Sequence, residues 1–537
     1  MDVGVLEPID ARVLACVMTD EPRHEQPAPP RRWWLPSVSS VFWLVFFLAT
    51  ILSPNRTMLV ASDSDPCWHW QQGNWMLQHH ALLRTEVFSH TRGGAPLVDL
   101  WWLSEIVTAV AGNLLGWNGI ALVAAVLCAT SVWLLHRQLL AEGNEILLST
   151  MLTLLAAAVC AIHWLARPHL ATLLLVLVFA WQLRWFARGR ISARKLMILL
   201  PVLTALWANL HGAFVFAFVM IGTYWTGAVV TWARTTPDQR PAQRRAVTVL
   251  TGVGLACLGA CLLNPHGWRL LVQVVRYMRS PLLMGLALEY LPPNLHDPGM
   301  LPLVLEFVLV VLTLLVVRPQ LTVTDALLLI VWSLLALRMA RNGPLFALVV
   351  TPILAEHWNK FLRTASPSRI IQRYRGVSAN LTRINQMAGA RGLPALAVVA
   401  VVLIMAKPQI LGGQPWLTTE LPAQRFPVAA VEFLLRAPNA VHGEMFNEYT
   451  WGGYLIWALP GRKVFIHPNL DVYGEELVKE FLQVNEAKDG WQDVLKKYNV
   501  GWTILSPNHP LNRLLAKRAG WKLVYSDGVA SIYGRTS

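Results

Sequence analysis

The apolar residues of this chain come in long blocks broken by short polar turns, and that patterning leaves few folds open. Blocks run at about 36–53, 118–135, 146–164, 169–186, 196–209, 213–232, 246–263, 301–317, 322–337, 343–356 and 393–408. Most are near the roughly 17 to 25 residues with which an α-helix crosses a bilayer. They lack the alternation of a half-buried strand and the one-sided stripe of a soluble helix. Composition agrees: 55% of the 537 residues are hydrophobic and 14% charged, whereas soluble domains carry roughly a quarter charged residues. The expected architecture is mainly α, a polytopic membrane helix bundle of about 11 spans, and a soluble enzyme is excluded. The blocks at 196–209 and 343–356 are short enough for re-entrant or tilted segments.

Orientation follows from the basic residues. Arg23, Arg31 and Arg32, then Arg184 to Lys195, Arg234 to Arg245, and Lys360 to Arg383, mark the N-terminal tail and alternate loops, and positive loops stay in the cytoplasm. The net charge of +14 is thus mainly a topology signal. These charges are dispersed over short loops without a binding module, so no nucleic-acid partner is expected. Residues 1–30 carry acids and prolines and no apolar signal-peptide core, so the first span reads as a retained anchor. Three regions result: a cytoplasmic tail at 1–35, a multispanning domain at 36–408 with a long first outer loop at 54–101, and an extracytoplasmic domain at 409–537. The location implied is a bacterial cytoplasmic (inner) membrane, with multiple passes.

In the last region apolar runs shorten and charge rises. Strand-like pieces (463–466, 502–505, 522–525, 530–533) alternate with helical ones (475–482, 491–498), which predicts a small α/β domain. "WGGY" (451–454) reads as a tight packing turn, because no lysine follows the glycines as in a phosphate cradle. The Pro-rich "EQPAPPRRWW" reads as a flexible tail. Of six cysteines only Cys67 falls in an exposed outer loop, so no disulfide framework is expected. Many of the 25 tryptophans lie near span ends, where an aromatic belt accounts for them.

Polar residues with chemistry gather on the outer side. The first outer loop holds "SDSDPCWHW" (62–70), with Asp63, Asp65 and His69, and later Asp99. The other outer turns are "LARPHL" with Arg167 and His169, "ANLHGA" with Asn209 and His211, "NPHGWR" with Asn264 and His266, "EYLPPNLHDPG" at 289–299, and "RMARNGP" with Arg338 and Arg341. Asn, Gly and Pro in such turns also serve as helix caps. Arginine near hydrocarbon, however, is costly unless paired with an anion, and a phosphate head group would supply one.

These motifs, together with "RTEVFSHTRGG" (84–94), "WWLSE" (101–105), "FNEYTWGGYLIW" (446–457) and "VYGEEL" (472–477), resemble bacterial multispanning proteins related to the GT-C glycosyltransferases, over nearly the whole chain. The resemblance implies a GT-C-like fold and sugar transfer from a polyprenyl-phosphate carrier to an extracytoplasmic acceptor. The chain departs from the pattern at Pro66-Cys67 and at "IHPNLD" (466–471), which stands in place of an acidic Asp-Gly-Arg turn, so the resemblance carries no charged role over to that turn.

The residues fit such chemistry in their own right. Transfer needs a carboxylate to take the acceptor proton and cations to stabilise the departing phosphate. Asp65 is the candidate base, Asp63 its metal or hydrogen-bond partner, and His69 the group orienting one of them. Arg167, His169, Asn209, His211, Asn264, His266, Arg338 and Arg341 are the candidate substrate-binding residues, with a phosphate expected among the three arginines. Asp63 and Asp65, joined by Asp99 or Glu105, could also hold a divalent cation, Mg or Mn, through oxygen ligands. Two other readings stay open: a non-catalytic membrane protein that binds a lipid-linked saccharide or assists envelope polysaccharide assembly, and a transporter. Against a transporter, the spans carry no paired mid-membrane charges and no matching broken helices in two halves.

Overall fold

The computed structural model describes residues 30–52, 55–390, 392–407 and 419–536. The boundary expected near 408, Cys16 and most of the N-terminal tail lie outside them. Each of the apolar blocks forms a helix over most of its described length, because in hydrocarbon each backbone polar group must bond within its own segment. Among the described residues six helices are long and apolar enough to cross a membrane, Trp117–Ala141, Ile146–His163, His169–Ala187, Ala193–Leu210, Gly212–Arg234 and Pro298–Val317; shorter apolar helices are Val38–Leu52, Trp102–Leu115 and Leu393–Ala406. The two blocks read as short extend into polar ends. Ala193–Leu210 is an 18-residue helix with Pro201 inside it, and Gly343–Thr364 has 22 residues. Trp102–Leu115 was not among the blocks, because Ser104, Glu105 and Asn113 interrupt its apolar run.

Residues 419–536 form the small α/β part. A four-stranded sheet has the spatial order Glu444–Asn447, Val500–Leu505, Ser531–Arg535, Trp521–Ser526, with the first pair parallel and the others antiparallel. Val500–Leu505 is buried throughout, as a strand covered on both faces must be. Residues 463–466 are not a strand of this sheet; Val464 instead makes an isolated bridge to Ser89 of the first outer loop. Residues 32–36, read as part of a flexible tail, form a strand paired with Ala388–Ala390.

The hydrophobic cores show how the outer parts are joined. One core lies among the spans, around Phe47, Phe179, Trp207, Trp332 and Phe346. The other two mix the first outer loop with the C-terminal part: Met76, Leu83 and Leu97 pack with Phe446 and Phe465, and Cys67 and Trp68 pack with Leu455 and Ile504. Cys67 is therefore buried, not exposed. The two glycines of "WGGY" permit this contact. A Cβ on Gly453 would meet the Ser64 carbonyl and the Trp68 ring, and one on Gly452 would meet the Ile466 carbonyl. Only backbone without side chains fits there, so the C-terminal part rests directly on the turn that carries Asp63 and Asp65.

Candidate functional site

"SDSDPCWHW" folds as a capped turn running into the helix Asp65–His79, with Pro66 in its first turn. Asp63 accepts the Asp65 backbone N–H through Oδ1 (2.9 Å), and Trp68 Nε1 donates to Asp65 Oδ1 (3.2 Å). Those bonds leave the other carboxylate oxygens facing Arg167, which follows the span ending at His163. Arg167 Nη2 lies 2.6 Å from Asp63 Oδ2 and Nε lies 3.1 Å from Asp65 Oδ2. Its Nη1 reaches Glu289 Oε2 at 3.3 Å. Glu289 in turn holds Arg341 at 3.2 Å, and the Arg341 guanidinium stacks 4.4 Å above the Tyr290 ring.

This cluster joins three carboxylates to two guanidinium groups, so it carries one net negative charge when all are ionised. Burial raises the Asp65 carboxyl to about 6; Arg167 opposes that shift and Asp63 reinforces it. Burial would raise Glu289 too, but Arg341 and Arg167 hold it near 2. Asp65 is thus the member poised to exchange a proton near neutrality, while Glu289 stays ionised.

The cluster walls one end of a cavity of about 210 Å³. Asp65, Arg167, Glu289 and Arg341 meet His169, His211 and Asn342 there, and Val215, Phe216, Val274, Met278 and Met339 supply an apolar wall. His169 Nε2 donates to the His163 carbonyl (2.7 Å). His211 Nδ1 accepts from Thr172 Oγ1 (2.9 Å), whose own oxygen takes the Trp207 indole N–H (2.9 Å); this leaves the proton of a neutral His211 on Nε2. The lining thus joins two guanidinium groups and their carboxylate partners to an apolar wall.

The C-terminal part closes the cavity with Pro468, Asn469, Leu470 and Asp471. This is the "IHPNLD" turn, and it brings a carboxyl, Asp471, to the cavity wall. Asp471 Oδ1 is buried without a hydrogen-bond partner, and burial pushes its carboxyl up to about 7. Glu289, Tyr290 and Asp471 were not singled out in the sequence. The signal for Glu289 was available: two outer arginines near hydrocarbon needed an anion, and "LEY" supplies one within the chain.

Other sequence candidates lie elsewhere. His69 turns away from Asp63 and Asp65 and bonds Glu105 (3.0 Å) in a buried pair, so it fastens two helices while Trp68 takes the orienting role expected of it. Asn209 accepts from the Trp102 indole (2.8 Å) and donates to the Leu263 carbonyl. Asn264 accepts the His266 N–H (2.7 Å), and His266 Nε2 accepts the Asp99 N–H (3.2 Å). These three residues build turns. Arg338 is exposed and does not line the cavity.

The divalent site expected of Asp63, Asp65 and Asp99 is not assembled. Among the described residues no group of three or more His, Cys, Asp or Glu is placed to hold a metal ion. The donor set accounts for it: Asp63 and Asp65 face a guanidinium, and Asp99 Oδ1 is engaged by the Trp101 N–H (2.8 Å).

No family model matches the chain, and no curated protein matches its sequence. Its fold is similar to solved membrane glycosyltransferases. The archaeal oligosaccharyltransferase AglB from Archaeoglobus fulgidus, solved with an inhibitory peptide and a dolichol-phosphate, aligns with a TM-score of 0.53 at 12% identity, over 93% of this chain and 74% of that one. The Archaeoglobus fulgidus oligosaccharyltransferase in its apo form aligns with a TM-score of 0.51 at 12% identity, over 87% and 69%. ArnT from Cupriavidus metallidurans in the apo state gives a TM-score of 0.49 at 14% identity, over 92% and 96%. The architecture is that of a polytopic membrane helix bundle with a C-terminal α/β part, the fold it shares with the Archaeoglobus fulgidus structures.

Proposed function

We propose that the chain is an integral-membrane glycosyltransferase that takes a sugar from a polyprenyl-phosphate carrier. The observation that carries this reading is the Arg167–Glu289–Arg341 cluster beside Asp65, set at the polar end of a cavity with an apolar wall. In the reaction the acceptor hydroxyl oxygen attacks the anomeric carbon and its proton passes to the Asp65 carboxylate. The bond from that carbon to the phosphate oxygen breaks, and the phosphate leaves with the electron pair, stabilised by Arg167 and Arg341. Tolerance of a chelator would accord with Arg167 filling the place of a metal. The AglB fold likeness supports the general class and leaves sugar and acceptor open.

Because the cluster is already net negative, a phosphate can join it only if Glu289 gives way. Glu289 then competes with the ligand for both arginines, and two substitutions have opposite signs. Arg341→Gln should weaken undecaprenyl phosphate binding about tenfold or more, as loss of a charge-assisted bond does. Glu289→Gln should bind the same lipid at least as tightly as the parent. Equilibrium binding to the purified protein checks both, and equal weakening by the two variants would reject the site.

A second reading has its own support, since Asp65 already engages Arg167: the same cavity could hold a lipid-linked saccharide without turning it over. Single-turnover release of polyprenyl phosphate separates the two readings. For location we propose the bacterial cytoplasmic membrane, with 1–35 inside and 409–537 forming an extracytoplasmic domain, as the charge bias requires. A periplasm-dependent reporter fused after Ser537 should be active; an active cytoplasmic reporter there would invert every outer assignment.

A further inference from the structure

A second cavity lies far along the chain from this site, between the helices Val215–Arg234 and Arg240–Ala260. It has a volume of about 580 Å³ and is walled by Trp232, Pro237, Arg240, Pro241, Arg244 and Arg245. The arginines sit in the first two turns of Arg240–Ala260, where they oppose the positive end of the helix dipole. Helix stability therefore does not account for them. Among the described residues none of the three makes a salt bridge, although Arg184, Arg188 and Arg363 at the ends of other helices are paired with Glu142, Asp325, Glu356 and Glu145. The nearest acid in sequence, Asp238, is exposed and pairs with none of them. Arg240 Nε donates a hydrogen bond to the Thr235 carbonyl (3.3 Å), which leaves its charge without an anionic partner among the described residues.

The surroundings identify the missing partner. Helix Arg240–Ala260 packs chiefly against Ala193–Leu210 and Val215–Arg234, which puts it at the rim of the bundle. Its outer side exposes Leu255 and Leu258, and Trp225 and Trp232 are exposed on the adjoining helix. Trp232 at the cavity marks the depth of the membrane interface. Leu255 lies about 16 Å beyond Arg244 at 1.5 Å per residue, within the reach of an acyl chain in one leaflet.

We infer that this cavity binds an anionic phospholipid of the adjacent leaflet, its phosphate among Arg240, Arg244 and Arg245 and its chains along the outer leucines. The site is independent of the sugar-transfer reading. A solvated patch that serves only topology would bind inorganic phosphate and lipid alike or neither.

The test places the full chain in nanodiscs of phosphatidylcholine and titrates in phosphatidylglycerol, reading retained lipid by native mass spectrometry and the shift in melting temperature. Retention and a rise in melting temperature are expected. In the Arg240→Gln/Arg244→Gln/Arg245→Gln variant, affinity should fall on the order of a hundredfold, since each basic residue near an anionic surface contributes about fivefold. Inorganic phosphate should give no comparable shift. Arg194→Gln/Lys195→Gln, in the preceding basic loop, should retain lipid as the parent does. Should the triple variant fail to fold, Trp232→Ala with Arg244→Gln replaces it and should also release lipid. Undiminished retention in the folded variant, an equal loss in the control, or an equal response to inorganic phosphate would overturn the inference.

Discussion

Asp65→Asn is expected to abolish sugar transfer, by about a hundredfold or more as loss of an essential base does, while the protein still inserts, purifies as one species and binds undecaprenyl phosphate. The amide keeps the shape that accepts the Trp68 indole bond but cannot take a proton. In the parent protein the raised Asp65 carboxyl, near 6, sets the pH profile. The base works ionised, so the rate should be level above about pH 6 and fall about tenfold per unit below it. Stability should move the other way through this group. A carboxyl that binds its proton more tightly in the folded chain than in the unfolded one adds stability as pH falls from about 6 toward the ordinary carboxylate range. Lost activity in that window is then loss of the base and not unfolding. A wild-type rate from Asp65→Asn would move the catalytic assignment elsewhere.

Arg167→Gln should have the largest structural effect of any substitution at the site. One guanidinium faces Asp63, Asp65 and Glu289, with its side chain about one-fifth exposed, and removing it leaves partly buried carboxylates against one another. Breaking such a buried network typically costs about 3 kcal/mol. The Asp65 carboxyl should also climb further, leaving the base protonated at neutral pH, so both folding and transfer suffer. Arg167→Gln/Glu289→Gln should recover part of the melting temperature, because the second change removes one of the uncompensated charges, without recovering transfer. An unchanged melting temperature and unchanged lipid binding in Arg167→Gln would show that the cluster is incidental.

The membrane bundle could be read from the sequence because hydrocarbon allows few alternatives: a long apolar block with no charge in it has to be helical. Arg167, Arg341, His169 and His211 could be read for a related reason, since polar residues at span ends on the less basic face stand out against their surroundings. What completes the cavity was harder to see. Glu289 neutralises arginines whose partner the sequence left open, and only the fold shows that the partner lies within the chain. Asp471 comes from a turn about 400 residues beyond Asp65, and its position depends on Gly452 and Gly453 letting the C-terminal part settle on the Asp65 turn. The sequence marks "WGGY" as a packing turn but does not say what it packs against. His69 was misplaced because spacing of four on a helix favours contact with Asp65, whereas Glu105 across the interface of two helices takes it. Asp99 forms no metal-holding group with Asp63 and Asp65 among the described residues; its backbone N–H and its Oδ1 are used in the turn before Trp102–Leu115.

The most direct test of the central claim is a density map of the purified protein with undecaprenyl phosphate bound. The phosphate is expected within hydrogen-bond distance of both Arg167 and Arg341, with Glu289 displaced from at least one of them and Asp65 facing the same space. A phosphate bound elsewhere, with both Glu289 ion pairs intact, would contradict it.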